Sequence, residues 1–467
     1  MSNPFLPLNE YVPDGEAHVF GDRVYLYGSH DAPDSKRFCI DDYVVYSADV
    51  NDLNNWTYHG KSYLKAQDPH SINGELVDFY APDCVRGNDG RYYLYYCAMG
   101  PNTENFGPVS VAVSDDPAGP FEYLGDVKYK DGTIVRDFLT NDPTILNDNG
   151  RIYLYWGWGL GRDFRSKLWK PVYDRVLSGI SHRSLEMIRS AVPSVLSCGF
   201  AELEDDMLTV KDKPKAVLDS MTTADRNSAL YKHPFYEAPS IRKFGDLFYL
   251  VYSSGQNNEL AYATSKYPDH GFEYRGVIIS NSDLGYGGNT VRKNNSSTIH
   301  GCIEEINGQY YVFYHRCTNN TDFSRQACCE KIEIDETGYI RQVEMTTSGA
   351  FEGDLQGKGT YNAGLCCNLI TPKPIRLGIG KQQREPRITQ RDDRLYLADM
   401  KQGTKAVYRY FDLKETERIS IDYAGEATLS VNGNEVIDGK VLLKSEDRII
   451  EIEVIKGRCD IYSFKLE

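Results

Sequence analysis

One short pattern recurs five times along the chain: a glycine, one or two polar residues, then an alternating run rich in tyrosine. The copies are GDRVYLYGSH from Gly21, GRYYLYYCAM from Gly90, GRIYLYWGWG from Gly150, GDLFYLVYSSG from Gly245 and GQYYVFYHR from Gly308. Each reads as a turn leading into a strand with period-two alternation. The copies start roughly 60 to 95 residues apart, room for about four strands per unit, which is the size of a propeller blade with generous loops. Five units predict an all-β, five-bladed propeller. A sandwich would need no such regular recurrence, and a doubly wound fold would need long amphipathic helices that are mostly missing.

A second regularity lies upstream of each copy. Seven or eight positions before the glycine stand Asp14, Asp83, Asp142, Glu237 and His300, and proline neighbours four of them, as Pro13-Asp14, Pro82-Asp83, Asp142-Pro143 and Glu237-Ala238-Pro239. If the segment from this residue to the glycine is the innermost strand of its blade, all five side chains begin at the same end of the axial channel. Four acids and a histidine are then expected around one cavity.

The propeller pattern occupies residues 1–350. It is interrupted at about 160–195, where Leu168, Val172, Val176 and Ile180 repeat every four residues among Arg162, Arg165, Lys167, Lys170, Arg175, Arg183 and Arg189, so one or two amphipathic helices are expected after the third blade. Residues 351–371, partly Gly-rich, read as a linker. From 372 to 467 the texture changes to shorter alternating runs such as YRYFDL, RISIDYAG and DRIIEIEVI, which predict a small β-sandwich that braces the propeller.

Charge narrows the partners. With 52 basic and 67 acidic residues the formal charge is −15, which disfavours nucleic acid and lipid surfaces and suits a neutral substrate. The first residues lack a basic region followed by an apolar one, and no 18 apolar residues run uninterrupted, so a soluble, cytoplasmic protein is expected, with an oligomer compatible with the sequence. Eleven cysteines, an odd number without zinc-site spacing, read as buried free thiols in a reducing compartment.

Carboxylates grouped in a channel, without a Ser/His/Asp set or a phosphate-cradling loop, point to acid/base hydrolysis of an acetal. One carboxyl must be protonated to help the leaving oxygen depart, while another stays ionised to activate water. Crowding of several acids raises at least one of their pKa values. Aromatic residues of the motifs, Tyr80 and Trp158 among them, are the candidate sugar platforms.

The segments NPFLPLNEYVPDGEAHVFGDRVYLYGSHD, DFYAPDCVRGNDGRYYLYY, TNDPTILNDNGRIYLYWG, YEAPSIRKFGDLFYLVYSSG and HGCIEEINGQYYVFYHR resemble, in order, the blade motifs of glycoside hydrolase family 43. That resemblance implies a five-bladed, inverting enzyme that needs no cofactor for its chemistry and acts on arabinose- or xylose-containing plant oligosaccharides. It implies Asp14 as general base, Asp142 as the acid that tunes and orients its partner, and Glu237 as general acid. It further implies His300 as an axial histidine that helps hold a calcium ion, Arg325 as an arginine reaching the bound sugar, and Asp83 as the second-blade acid, used structurally in the family; Asp83 and His300 are both counted here with the substrate-binding candidates. The C-terminal segment is similar to the carbohydrate-binding sandwich of some members. The expected reaction is exo-acting release of terminal α-L-arabinofuranose, β-D-xylose or both. β-Galactofuranosidase or galactan side-chain activity is the alternative within the fold, and a non-catalytic glycan-binding propeller is the alternative outside it. A fructan-cleaving propeller would carry its Asn-Asp-Pro in the first blade, and a sialidase would show Asp-box repeats.

Overall fold

The computed structural model describes residues 2–100, 107–160, 163, 169–181, 183–190, 194–255, 259–294, 298–318, 321–351, 353–372, 386–391 and 394–467. Five antiparallel meanders follow one another. Blade 1 comprises β1 (Glu16–Phe20), β2 (Arg23–Tyr27), β3 (Tyr43–Asp49) and β4 (Asp52–Tyr63). Blade 2 comprises β5 (Asp78–Arg86), β6 (Tyr92–Met99), β7 (Val109–Ser114) and β8 (Glu122–Asp126), and blade 3 comprises β9 (Thr144–Asp148), β10 (Arg151–Gly157), β11 (Ser197–Leu203) and β12 (Lys215–Asp219). Blade 4 holds β13 (Phe235–Phe244), β14 (Leu247–Ser254), β15 (Glu259–Ser265) and β16 (Glu273–Ser280), and blade 5 holds β17 (Ile303–Ile306), β18 (Gln309–Cys317) and β19 (Arg325–Ile332). The recurring glycine sits in the hairpin between the first two strands of each blade: Gly21, at φ 67°, lies between Phe20 and the paired Arg23, and its four counterparts share the left-handed conformation that glycine adopts without a steric penalty.

The tyrosines of the repeat are the glue between blades. Apolar clusters straddle neighbouring sheets, as where Tyr27, Tyr43 and Tyr63 of blade 1 meet Phe79, Leu94 and Tyr96 of blade 2. A buried tyrosine fills this space with its ring and satisfies its hydroxyl on the next blade's backbone. Tyr43 donates to Tyr80 O at 2.8 Å, Tyr95 to Met207 O at 2.7 Å and Tyr155 to Pro268 O at 2.6 Å.

Among the described residues blade 5 has three strands, and residues 3–5 lie along its outer edge. Phe5 N–H donates to Ala327 O at 3.2 Å, Cys329 N–H donates to Asn3 Oδ1 at 2.9 Å, and Asn3 Nδ2 reaches Glu330 Oε1 at 2.9 Å. This closes the ring.

The helical insertion, expected after the third blade, lies within it: α1 (Lys170–Ser181) and α2 (Leu185–Ser190) stand between β10 and β11, because the hairpin that joins these two strands is itself the long loop. Leu177 and Ile188 dock on Leu139, Val195 and Leu196, whereas Val172, Val176 and Ile180 face outward. Leu168, Arg162, Arg165 and Lys167 lie outside the described residues. No helix among the described residues is long and apolar enough to cross a membrane.

After the propeller come β20 (Leu355–Gln356), β21 (Gly359–Asn362), β22 (Asn368–Ile370), β23 (Arg387–Arg391), β24 (Arg394–Lys401), β25 (Lys405–Arg409), β26 (Phe411–Asp412), β27 (Arg418–Val431), β28 (Asn434–Glu435), β29 (Lys440–Leu442) and β30 (Ile449–Leu466). The long β30 pairs with β21, β24, β25 and β27, and the sheet folds over one apolar core. Residues 351–371, expected as a linker, instead supply β20 to β22, because their alternating side chains, Tyr361 and Leu369 among them, pack on that core.

The sandwich is tied to the propeller through buried charge. Arg409, 5% exposed, reaches Asp283 Oδ2 at 3.3 Å and also engages Glu344 and Asn368, while Arg316 Nη1 donates to Cys366 O at 2.9 Å. Removing one partner of such a group leaves the others buried and uncompensated, at a cost of about 3–5 kcal/mol. Truncation after Pro372 is therefore expected to give insoluble protein, checked by expression and size-exclusion chromatography. A soluble fragment with full activity on small substrates would show that the sandwich does not brace the propeller.

Candidate active site

Three of the five phased residues stand just ahead of an inner strand, Asp14 before β1, Asp142 before β9 and His300 before β17, and Glu237 is the third residue of β13. Here the backbone enters the left-handed region, with φ 57° at Asp14, 48° at Asp142 and 60° at Ala238, next to Glu237. Residues with a Cβ seldom adopt this conformation, and where they do the surroundings must hold them. Asp142 Oδ2 accepts the Ala238 N–H at 3.0 Å, and His315 Nδ1 accepts the Asp14 N–H at 3.3 Å. Asn141 Nδ2 donates to the same Asp142 oxygen at 2.7 Å.

The side chains converge around His300. Its Nδ1 lies 3.8 Å from Asp14 Oδ1 and 3.9 Å from Asp142 Oδ2, and its Nε2 is 3.8 Å from Glu16 Oε1. Arg325 Nη1 donates to Asp14 Oδ1 at 2.7 Å. The rest of that guanidinium is gripped by Asp31, through Nε at 2.8 Å and Nη2 at 3.1 Å, and lies 4.7 Å from the ring of Phe38, which meets Phe323 edge-on at 4.6 Å. Arg325, expected to reach a sugar, thus directs its hydrogen bonds to Asp14, Asp31 and the Cys39 sulfur. Trp158 is half-buried with its ring 5.9 Å from Tyr236, the neighbour of Glu237. Tyr80 is half-buried in β5, and its carbonyl accepts from Tyr43.

Asp83 departs from the expected ring. It is fully buried; its Oδ2 accepts from Thr144 Oγ1 and Ile145 N, both at 2.8 Å, and its Oδ1 lies 2.5 Å from His18 Nε2. The left-handed turn found at Asp14, Asp142 and Ala238 is missing at this position: β5 begins at Asp78 and carries Asp83 down the axis to the level of His18 and Ile145. The equal count to the glycine therefore does not give equal depth.

Burial by itself would raise every carboxyl here. At Asp14 the Arg325 guanidinium and the His315 and His300 rings outweigh it and hold the group well below the usual carboxylate range. Glu237 is pushed up to about 8 by burial and then by the Asp142 charge, against the pull of His300. Burial and the Asp14 charge raise Asp142 to about 6. His300 rises to about 9 because Glu16, Asp142 and Asp14 together exceed the desolvation that would lower it.

Two positions invite a cation. Glu16, His18 and Asp83 bring ligand atoms within 4.8 Å of one another, but Arg242 Nη2 already lies 2.9 Å from Glu16 Oε2 and 3.4 Å from His18 Nε2, so a metal does not fit there. One layer up, Glu16 Oε1 is buried without a hydrogen-bond partner and faces His300. One imidazole and carboxylates at this spacing fit a hydrated, oxygen-seeking ion and do not form a closed zinc site.

Residues 1–177 match the model of the glycosyl hydrolases family 43. A protein named xylosidase/arabinosidase from Thermoclostridium stercorarium is 41% identical over 448 residues, covering 91% of this chain and 85% of its own. The chain belongs to glycosyl hydrolase family 43. It is a glycoside hydrolase, and the family's five-bladed propeller is the one described above. Among solved structures, CoXyl43, a GH43 β-xylosidase/α-arabinofuranosidase from a compost microbial metagenome, is 27% identical at a TM-score of 0.55 over 72% of this chain and 96% of its own. A family 43 arabinoxylan arabinofuranohydrolase from Bacillus subtilis, 17% identical, matches in fold over 99% of this chain and 93% of its own at a TM-score of 0.52, sandwich included.

Sequence reasoning did not find Asp31, His315, Glu16 or Arg242. Asp31 has no counterpart in the other repeats, and His315 lies at the far end of its Tyr-rich run, where the motif is least regular. Replacing Arg325 with Met should leave Asp14 under the rule of burial and raise its pKa. The acidic limb of the pH–rate profile is then expected to move to higher pH, measured as kcat/KM on an aryl glycoside.

Proposed function

We propose that this chain is an inverting exo-glycosidase that releases terminal α-L-arabinofuranose, β-D-xylose or both from plant-derived oligosaccharides. The observation that carries the reading is the split within one cluster, where Asp14 is held ionised while Glu237 stays protonated at neutral pH. Glu237 as general acid gives its proton to the departing glycosidic oxygen, and Asp14 as general base takes one from the attacking water. Asp142 supplies the charge that keeps Glu237 protonated and fixes the adjoining backbone through Ala238. Support for the sugars comes from relatives: the names of the Thermoclostridium protein and CoXyl43 join xylosidase with arabinosidase activity, and CoXyl43 was solved with xylotriose. Eleven cysteines, ten of them buried, suit trimming of small oligosaccharides in a reducing, cytoplasmic setting.

Glu237→Ala should lose roughly 10²–10⁴-fold on natural oligosaccharides but far less on dinitrophenyl glycosides, whose leaving groups need no proton. Asp14→Ala should lose heavily on both. Full activity in both variants, or a Glu237→Ala variant equally dead on activated substrates while Asp14→Ala works, would reject these roles. A panel of aryl pentosides and hexosides identifies the sugar.

The pH profile follows from the same split. Activity needs protonated Glu237, so it should fall as pH rises through about 8. Asp142→Asn removes a repelling charge, lowers the Glu237 pKa and should move this alkaline limb to lower pH.

At the axis, calcium held mainly through water would displace the proton of His300 and, between Glu16 and that neutral ring, brace the heads of the inner strands. Calcium is expected to raise the thermal midpoint, and a midpoint indifferent to calcium and to chelator would leave only water there.

A further inference from the structure

His315 is fully buried on β18, where its backbone is locked opposite Ala327 of β19. Its ring stands between two groups from other parts of the ring of blades. Nδ1 meets both ends of Asp14, 3.3 Å from its backbone nitrogen and 3.2 Å from its Oδ1, and Thr298 Oγ1 lies 3.0 Å from Nε2. With its hydrogen on Nε2 the neutral imidazole accepts the Asp14 N–H and donates to Thr298; with its hydrogen on Nδ1 it donates to Asp14 Oδ1 and accepts from the Thr298 hydroxyl. Either tautomer ties Asp14 to Thr298 through the ring.

Asp14 needs such a partner. Its φ of 57° is a conformation that costs about 1–3 kcal/mol unless neighbours over-determine it. Arg325 holds Oδ1 but leaves the backbone free to relax. With His315 Nδ1 against both its N–H and its Oδ1, the residue is clamped at both ends and the direction of Oδ2 is set. The same device recurs across the site, where the Asp142 carboxylate receives the N–H of left-handed Ala238.

We propose that His315 is a positioning residue for the general base: its Nδ1 holds the left-handed Asp14 at its backbone N–H and its carboxylate, and Thr298 fixes the ring that does so. The inference rests on Asp14 being the base. A misplacement of about 1 Å at a reacting group costs about 10²-fold in rate, which sets the expected scale.

The test uses the full chain with three substitutions. His315→Asn keeps an acceptor near the Nδ1 position, His315→Gln places its amide near Nε2 and so reaches only Thr298, and His315→Phe keeps neither. On a xyloside or arabinofuranoside that the wild type cleaves, His315→Gln and His315→Phe should lose about 10²-fold in kcat with KM unchanged, by the same factor for a dinitrophenyl and a natural leaving group. His315→Asn should recover to within a few-fold of wild type. Should the Phe variant fail to fold, the Asn–Gln comparison decides, since both are polar and similar in size. Equal kcat in the Asn and Gln variants, or a loss confined to poor leaving groups, overturns the proposal. If Asp14→Ala is inactive while all three His315 variants match wild type, positioning fails and the base assignment stands; if Asp14→Ala retains activity, both fail.

Discussion

The left-handed turn at the head of three inner strands is the constraint on which the site depends. An extended strand would carry its acid down the axis, as β5 carries Asp83 into contact with blades 1 and 3. By kinking, blades 1, 3 and 4 hold their carboxyl groups at the rim instead. Proline beside each kink restricts the alternatives, and a side-chain acceptor takes the amide that the kink frees from the ladder. Backbone geometry and functional side chains are therefore one system: Asp142 serves both as a charge and as a hydrogen-bond acceptor.

Below the rim the axis alternates in sign. Asp14 and Asp142 face His300, His300 faces Glu16, Glu16 binds Arg242, and Arg242 also meets Glu304 at 2.8 Å. A unit charge at about 4 Å is worth about 4 kcal/mol at an effective dielectric of 20, or about three pKa units. Whether a buried carboxyl faces Arg325 or faces Asp142 is thus enough to set it on opposite sides of neutrality. Asp31, wrapped around the far side of Arg325, keeps that cation pointed at Asp14 and not at Glu237.

Much of this was readable before any coordinates. The recurrence of Gly21, Gly90, Gly150, Gly245 and Gly308 marks hairpins that need positive φ, and the phase of the acids against those glycines located Asp14, Asp142, Glu237 and His300 at one end of the axis. The phase misjudged Asp83, because counting residues assumes every strand starts with the same geometry. Sequence also gave no warning that 351–371 would join the sandwich, since short strands such as Asn368–Ile370 acquire their identity from the partner β25. Asp31 and His315 were invisible for a similar reason: each acts on a group brought near only by closing the ring, and nothing in the local pattern records such a neighbour.

Closure has its own consequence for how the molecule is made. Asn3 and Phe5 find their partners in β19, more than 300 residues later, so their segment has nowhere to dock until blade 5 exists. The entropic cost of joining such distant points grows only logarithmically with the loop, so the finished ring loses little by it. What is long is the wait, since non-local strand pairing is slow and leaves an open edge on the growing sheet. A bulky fusion placed immediately ahead of Asn3 would sit against a residue that is 1% exposed in the finished protein, whereas the sandwich end leaves Glu467 partly open to solvent. A handle for producing or tethering this enzyme belongs beside Glu467, where it does not compete with the latch.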